Sequence, residues 1–153
     1  MTTTNKTVTV QLNGQRQECA PGETILRLAQ RVGVEIPHLC FKEGLATAGN
    51  CRACVVEIQG ERTLAPSCCR TVSENMVIDS ASPRAERAQK LVLELLQTDA
   101  RNEVREEKNE LSVWSKKMGV TTSRFPARPT INKDQSHPAI QVNLDACILC
   151  TRC

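Results

Sequence analysis

Cys40, Cys51, Cys54 and Cys68 stand at the spacing C-x10-C-x2-C-x13-C, and this constrains the chain more than any other feature. A C-x2-C pair lets two thiolates converge on one metal from a single turn of backbone, while the flanking cysteines must come from elsewhere in the fold. Four ligands then surround one compact site. The alternative use of cysteine, a disulfide framework, fits poorly. The first fourteen residues, MTTTNKTVTVQLNG, have neither the basic nor the apolar region of an export signal. No apolar stretch approaches the roughly eighteen residues needed to span a bilayer. The expected setting is a reducing cytoplasm, where structural disulfides rarely persist. The nine cysteines are also an odd number, leaving one thiol over in any pairing scheme.

Composition narrows the classes further. With 153 residues, 40% hydrophobic and 24% charged, the chain suits one ordinary domain or two small ones. Phe41, Trp114 and Phe125 are its aromatics, and there is no Tyr, which argues against stacking platforms for single-stranded nucleic acid. A formal charge of +3 is too balanced for an electrostatic nucleic-acid binder.

The pattern along the chain predicts an α+β unit over residues 1–80. Val8, Val10 and Leu12 alternate as a half-buried strand, Asn13-Gly14 suits a tight hairpin turn, and Gln15–Cys19 returns. Thr24 is an N-cap candidate for a helix carrying Ile25, Leu28, Ala29 and Val32, with Gly33 just past its end. A hairpin followed by a helix opens a β-grasp. Val55–Ile58 predicts a third strand, Arg62–Leu64 a short return and Met76–Ile78 a closing strand. Residues 81–119 read as helical. Ser82-Pro83 starts a helix with Ala85, Ala88, Val92 and Leu95 on its apolar face, flanked by Leu91 and Leu96. A second helix is predicted over roughly Asn102 to Met118, with Val104, Leu111, Trp114 and Met118 on one seam. Residues 120–138, with Pro126, Pro129 and Pro138, read as a linker. Over residues 139–153, Ile140, Val142 and Leu144 alternate before the last cysteines.

Chemistry then selects among the uses of the first four cysteines. Structural zinc usually shows paired C-x2-C knuckles, whereas one pair here is joined by two single cysteines. His38 and His137 are the only histidines, too few for a persuasive Cys–His nucleophile. A thioredoxin-like C-x2-C lacks its βαβ surroundings. A [2Fe–2S] cluster fits best. Its four thiolates leave net negative charge, which the segment Gly44–Asn50 can meet with inward backbone N–H groups and Arg52 with a nearby cation. His38 reads as a packed side chain, and Cys19 as a small buried hydrophobe.

The segments Ile36-Pro37-His38-Leu39-Cys40 and Ala48-Gly49-Asn50-Cys51-Arg52-Ala53-Cys54-Val55-Val56-Glu57 resemble the plant-type ferredoxin domain that opens large iron–sulfur subunits. These are complex I subunits of the NuoG type, NAD-linked hydrogenase diaphorases and molybdenum or tungsten formate dehydrogenases. The resemblance implies that Cys68, in Pro66-Ser67-Cys68, is the fourth ligand and Cys69 is not. Spacing alone leaves that choice open. Family members also carry His-x3-Cys-x2-Cys-x5-Cys after the helix matching Pro83–Gln97. Here there is no His or Cys from Leu91 through Gly119, and Asn109–Gly119 is similar to the stretch that replaces the site in formate dehydrogenase alpha subunits.

Cys147, Cys150 and Cys153 form C-x2-C-x2-C, the leading part of a bacterial-ferredoxin run and a partial ligand set for [4Fe–4S]. A radical site built on C-x3-C is disfavoured. Any fourth protein ligand lies beyond residue 153, which suggests a piece of a longer subunit. The resemblance therefore implies an electron-transfer module of a formate dehydrogenase alpha subunit. It would have no catalytic residues of its own and would pass electrons between a downstream Mo/W-pterin site and NAD-reducing flavin and iron–sulfur subunits. A hydrogenase diaphorase or NuoG-type fragment is the alternative. A zinc-stabilised interaction module is the alternative of another class, and it would be colourless.

Overall fold

The computed structural model describes residues 7–100 and 109–153. Five strands form one mixed sheet in the order β2-β1-β5-β3-β4. β1 (Val8–Leu12) and β2 (Gln15–Cys19) pair antiparallel through a turn at Asn13-Gly14, where both residues take positive φ, 50° and 79°. β5 (Val77–Asp79) runs parallel to β1 and antiparallel to β3 (Val55–Ile58), so it joins the first hairpin to the second half of the unit. Helix α1 (Ile25–Arg31) lays Ile25, Leu26, Leu28 and Ala29 against Val10, Leu12, Val56, Ile58 and Ile78 in a continuous core. Thr24 caps it through the Arg27 amide, and Gly33 takes the positive φ expected beyond the end.

Two expected elements move. The return strand β4 is Ala65–Pro66 rather than Arg62–Leu64, because pairing with β3 sets Ala65 opposite Val56 and Pro66 opposite Val55. Helix α2 (Pro83–Asp99) starts at the Ser82 cap as expected, but its buried stripe is Ala85, Gln89 and Leu93, and Leu95 is exposed. Gln89 turns the helix this way. Its buried amide donates to the carbonyls of Val55 at 2.8 Å and Ser80 at 3.2 Å, which otherwise would lack those partners.

Helix α3 (Glu110–Lys117) begins at an Asn109 cap in extended backbone, so it does not run through from Asn102. Val104, placed on its seam by sequence, lies outside the described residues. Leu111, Trp114 and Met118 do share a cluster with Leu39, Ala53 and Leu93, a second core beside the sheet. The segment expected as linker closes in a hairpin of β6 (Asp134–His137) with β7 (Ile140–Val142). Ile140 and Val142 alternate but face solvent. No helix among the described residues is long and apolar enough to cross a membrane.

Candidate metal centre

Cys40, Cys54 and Cys68 are buried and Cys51 is half-buried. Cys40 lies in the long loop between α1 and β3, Cys51 and Cys54 close that loop where it leads into β3, and Cys68 follows β4. The β3–β4 ladder thus ends beside Cys54, which immediately precedes β3, and near Cys68, two residues after β4. The thiols come together as two pairs. Cys51 is electrostatically coupled to the Cys40 thiol, and Cys68 to the Cys54 thiol. Among the described residues, no three Cys, His, Asp or Glu side chains gather where one ion would be held.

The electrostatics are uneven. Burial raises the Cys51 thiol, opposed by the backbone N–H groups of Ala53, Cys40 and Leu39. The Cys68 thiol donates to Cys54 and pulls it down to about 6, against burial, with help from the Cys68 amide and the Ser67 hydroxyl. Cys68 is raised correspondingly, first by that same bond and then by burial. The amides on Cys51 are anion donors of the kind expected, though they flank the cysteines rather than come from Gly44–Asn50. Arg52 is exposed at a positive φ of 58° beside the site.

Cys68 and its neighbour Cys69 differ in setting. Cys69 is exposed, and its Sγ lies 3.5 Å from that of Cys68. Gly49 has a φ of 65°, and a Cβ there would stand 2.5 Å from the Cys69 sulfur. The loop therefore needs glycine for conformation and for space. His38 bonds through Nδ1 to the Ile36 carbonyl and packs on Phe41 and Trp114, in keeping with a structural role. Cys19 is buried in the sheet core, and burial raises its thiol.

Cys147, Cys150 and Cys153 sit in a separate loop with Leu149 and Thr151 at positive φ, 53° and 60°. The Leu149 amide donates to Cys147 Sγ at 3.3 Å, and Arg152 Nε to Cys150 Sγ at 3.4 Å. Burial alone would raise the Cys150 thiol, but Arg152 outweighs it and the net shift is downward. Arg152 also pairs with Glu110 at 2.6 Å, tying the loop to the start of α3. Ile148 packs in the cluster that contains Cys51, and Asn50 Nδ2 donates to the Leu149 carbonyl. The two cysteine loops are thus in contact. Sequence reasoning missed the roles of Asn50, Ser67 and Arg152, because each depends on a residue distant in the chain or opposed across a ladder. His137 lies exposed in β6, away from any such role.

The fold and the paired thiols define an iron–sulfur domain of the ferredoxin-like α+β class. Residues 5–83 match the family model described as 2Fe-2S iron-sulfur cluster binding domain, and the chain belongs to that family. It is 34% identical over 157 residues to the NADP-reducing hydrogenase subunit HndD of Solidesulfovibrio fructosivorans, covering 95% of this chain and 27% of that one. It is 32% identical to an NADH-quinone oxidoreductase subunit of Rickettsia bellii, over 93% of this chain and 22% of the relative. Among solved structures it resembles a chain of an NAD+-reducing [NiFe]-hydrogenase in the H2-reduced state. The TM-score is 0.80 at 31% identity, over 94% of this chain and 62% of that one. The chain spans about a quarter of the length of the curated relatives it matches.

Proposed function

We propose that this chain is the electron-transfer entry module of an iron–sulfur subunit in an NAD(P)-linked hydrogenase or NADH-quinone oxidoreductase. Cys40, Cys51, Cys54 and Cys68 hold a [2Fe–2S] cluster, and Cys147, Cys150 and Cys153 supply three ligands to a [4Fe–4S] cluster. The observation that carries this reading is the match of residues 5–83 to the [2Fe–2S] family, with Cys40, Cys54 and Cys68 buried and Cys51 half-buried within that span. When bound, such a cluster accepts one electron at a low potential, about −400 mV for plant-type sites. The chain's own residues do the rest. The amides at Cys51 meet the thiolate charge, and Leu39 and Ala53 keep water from one side. Asn50 and Ile148 hold the second cysteine loop against the first. Partners are flavin and iron–sulfur subunits that exchange electrons with a nicotinamide.

Identity to a hydrogenase subunit and to NADH-quinone oxidoreductase subunits favours this assignment over formate dehydrogenase. One observation supports formate dehydrogenase as a second reading: no His or Cys stands between Leu91 and Gly119 to build the intervening cluster. A Mo/W-pterin centre would then lie in a part of the subunit outside this chain. Hydrogen-, NADH- and formate-dependent dye reduction by the parent complex separates the two. For the chain itself, iron, acid-labile sulfide and zinc are measured on anaerobic protein, with EPR after dithionite reduction. About two irons and two sulfides with a rhombic S = ½ signal are expected from the first site. Zinc without sulfide would remove the electron-transfer reading.

A further inference from the structure

The β3–β4 ladder pairs Val55 with Pro66 and Val56 with Ala65. One step further along the same register, Cys54 faces Ser67, and the Ser67 amide donates to the Cys54 carbonyl at 3.0 Å. Residues opposed across an antiparallel pair present their side chains to the same face, with Cβ atoms about 4.5–5.5 Å apart. Ser67 is wholly buried, and its hydroxyl has no aligned hydrogen-bond partner among the described residues. The backbone of Ser67 is already satisfied, since its carbonyl also accepts from the Leu26 amide at 3.0 Å. A hydroxyl is therefore not needed to hold this residue in place, and burying one without an acceptor is unfavourable. The register thus sets the Ser67 hydroxyl on the face that carries the Cys54 side chain. A thiolate bound to iron is a much stronger acceptor than a thiol that keeps its own proton.

We propose that Ser67 is a positioning residue of the site, its Oγ–H donating to the Cys54 thiolate and raising the potential at which the cluster accepts an electron. This rests on the [2Fe–2S] reading above. The physical basis is that an added electron increases negative charge on the thiolates, so a fixed donor stabilises the reduced state more than the oxidised one. The bond adds nothing to the fold that the backbone does not already supply.

The test uses the whole chain, prepared anaerobically, as wild type, Ser67→Ala and a control, Ser115→Ala. Ser115 is a second buried hydroxyl without an aligned partner, on α3. Ser67→Ala is expected to keep the wild-type iron and sulfide content and to lower the reduction equilibrium constant about tenfold. For one electron this is about 59 mV more negative. An exchangeable-proton coupling seen by pulsed EPR of the wild type should vanish in Ser67→Ala and persist in Ser115→Ala. An unchanged midpoint with full cluster content would overturn the proposal. Loss of the cluster in Ser67→Ala would also overturn it, by making the hydroxyl structural. If wild type assembles no iron and sulfide, the underlying reading fails and takes this inference with it.

Discussion

The side-chain amide of Asn50 donates to the carbonyl oxygen of Leu149 at 2.8 Å, joining residues 99 positions apart. Each partner lies beside a cysteine ligand candidate, Asn50 next to Cys51 and Leu149 next to Cys150. The bond therefore fixes one cysteine loop relative to the other. It is exposed, so its net contribution belongs at the lower end of the roughly 0.5–1.5 kcal/mol of a typical hydrogen bond. Asn50→Ala should loosen residues 147–153 and speed alkylation of Cys147 and Cys150 in reduced, metal-free protein by a few-fold. Alkylation of Cys40 should keep its wild-type rate. Equal rates at Cys147 and Cys150 in both proteins would show that the loop is held by other contacts, Ile148 and Arg152 foremost.

Cys68 and Cys69 are adjacent in sequence but opposite in setting. Cys68 is buried and coupled to Cys54, whereas Cys69 is exposed, its sulfur against Gly49. Cys68→Ser should abolish the visible absorption and acid-labile sulfide of the first site. Cys69→Ser should retain both at wild-type stoichiometry. The reverse pattern would mean that the chain after β4 rotates on cluster assembly and presents the other thiol.

Local chemistry made some of this architecture legible from the residues alone. Asn13-Gly14, the Thr24 cap, Gly33 and Ser82-Pro83 each signal a boundary through their own backbone preferences, and all sit where those preferences place them. Such signals are silent where tertiary partners decide. Gln89 looks like a surface residue until the Val55 and Ser80 carbonyls are known to face it. β6 contains no apolar residue, so hydrophobic alternation gives no sign of it. At the site, cysteine spacing marks out the thiols. The pairing of Cys40 with Cys51, and the facing of Ser67 toward Cys54, depend on loop closure and ladder register, which spacing does not encode.

Gly49 offers a sharper test of the loop. An alanine there meets two separate obstacles: a left-handed φ of 65° and the Cys69 sulfur at 2.5 Å from the new Cβ. The conformational cost is about 1–2 kcal/mol, and the clash must move either Cys69 or the loop that carries Cys51. Gly49→Ala should reduce cluster occupancy and accelerate cluster loss in air. Adding Cys69→Ala removes the sulfur, leaving the Cys69 Cβ at 3.9 Å as the nearest obstruction. The double variant should recover part of the occupancy, with the conformational cost remaining. Additive losses in the double variant would show that the sulfur and the loop do not press on each other.

Glu23 and Arg31 carry the pH dependence of the sheet–helix junction. Arg31 Nε donates to Glu23 Oε1 at 3.0 Å and its Nη2 to Oε2 at 3.1 Å, while the Ala20 amide also donates to Oε2. Nη2 bonds the Glu18 carbonyl as well, so one fork spans β2, the turn and α1. The Arg31 bond, outweighing burial, holds the Glu23 carboxyl below its ordinary 4.5. A carboxylate depressed on folding stabilises the native state fully above its unfolded pKa, and the contribution is lost as pH falls through the lower folded value. Glu23→Gln should therefore destabilise by about 1 kcal/mol at pH 7, typical of a bidentate, partly exposed pair. The gap between the two proteins should stay constant down to about pH 4.5 and close below it. Both carry the same cysteines, so acid damage at the metal site cancels in the difference measured by denaturant unfolding. A gap that widens on acidification would mean that the carboxyl is stabilised in its protonated form, contrary to the fork geometry.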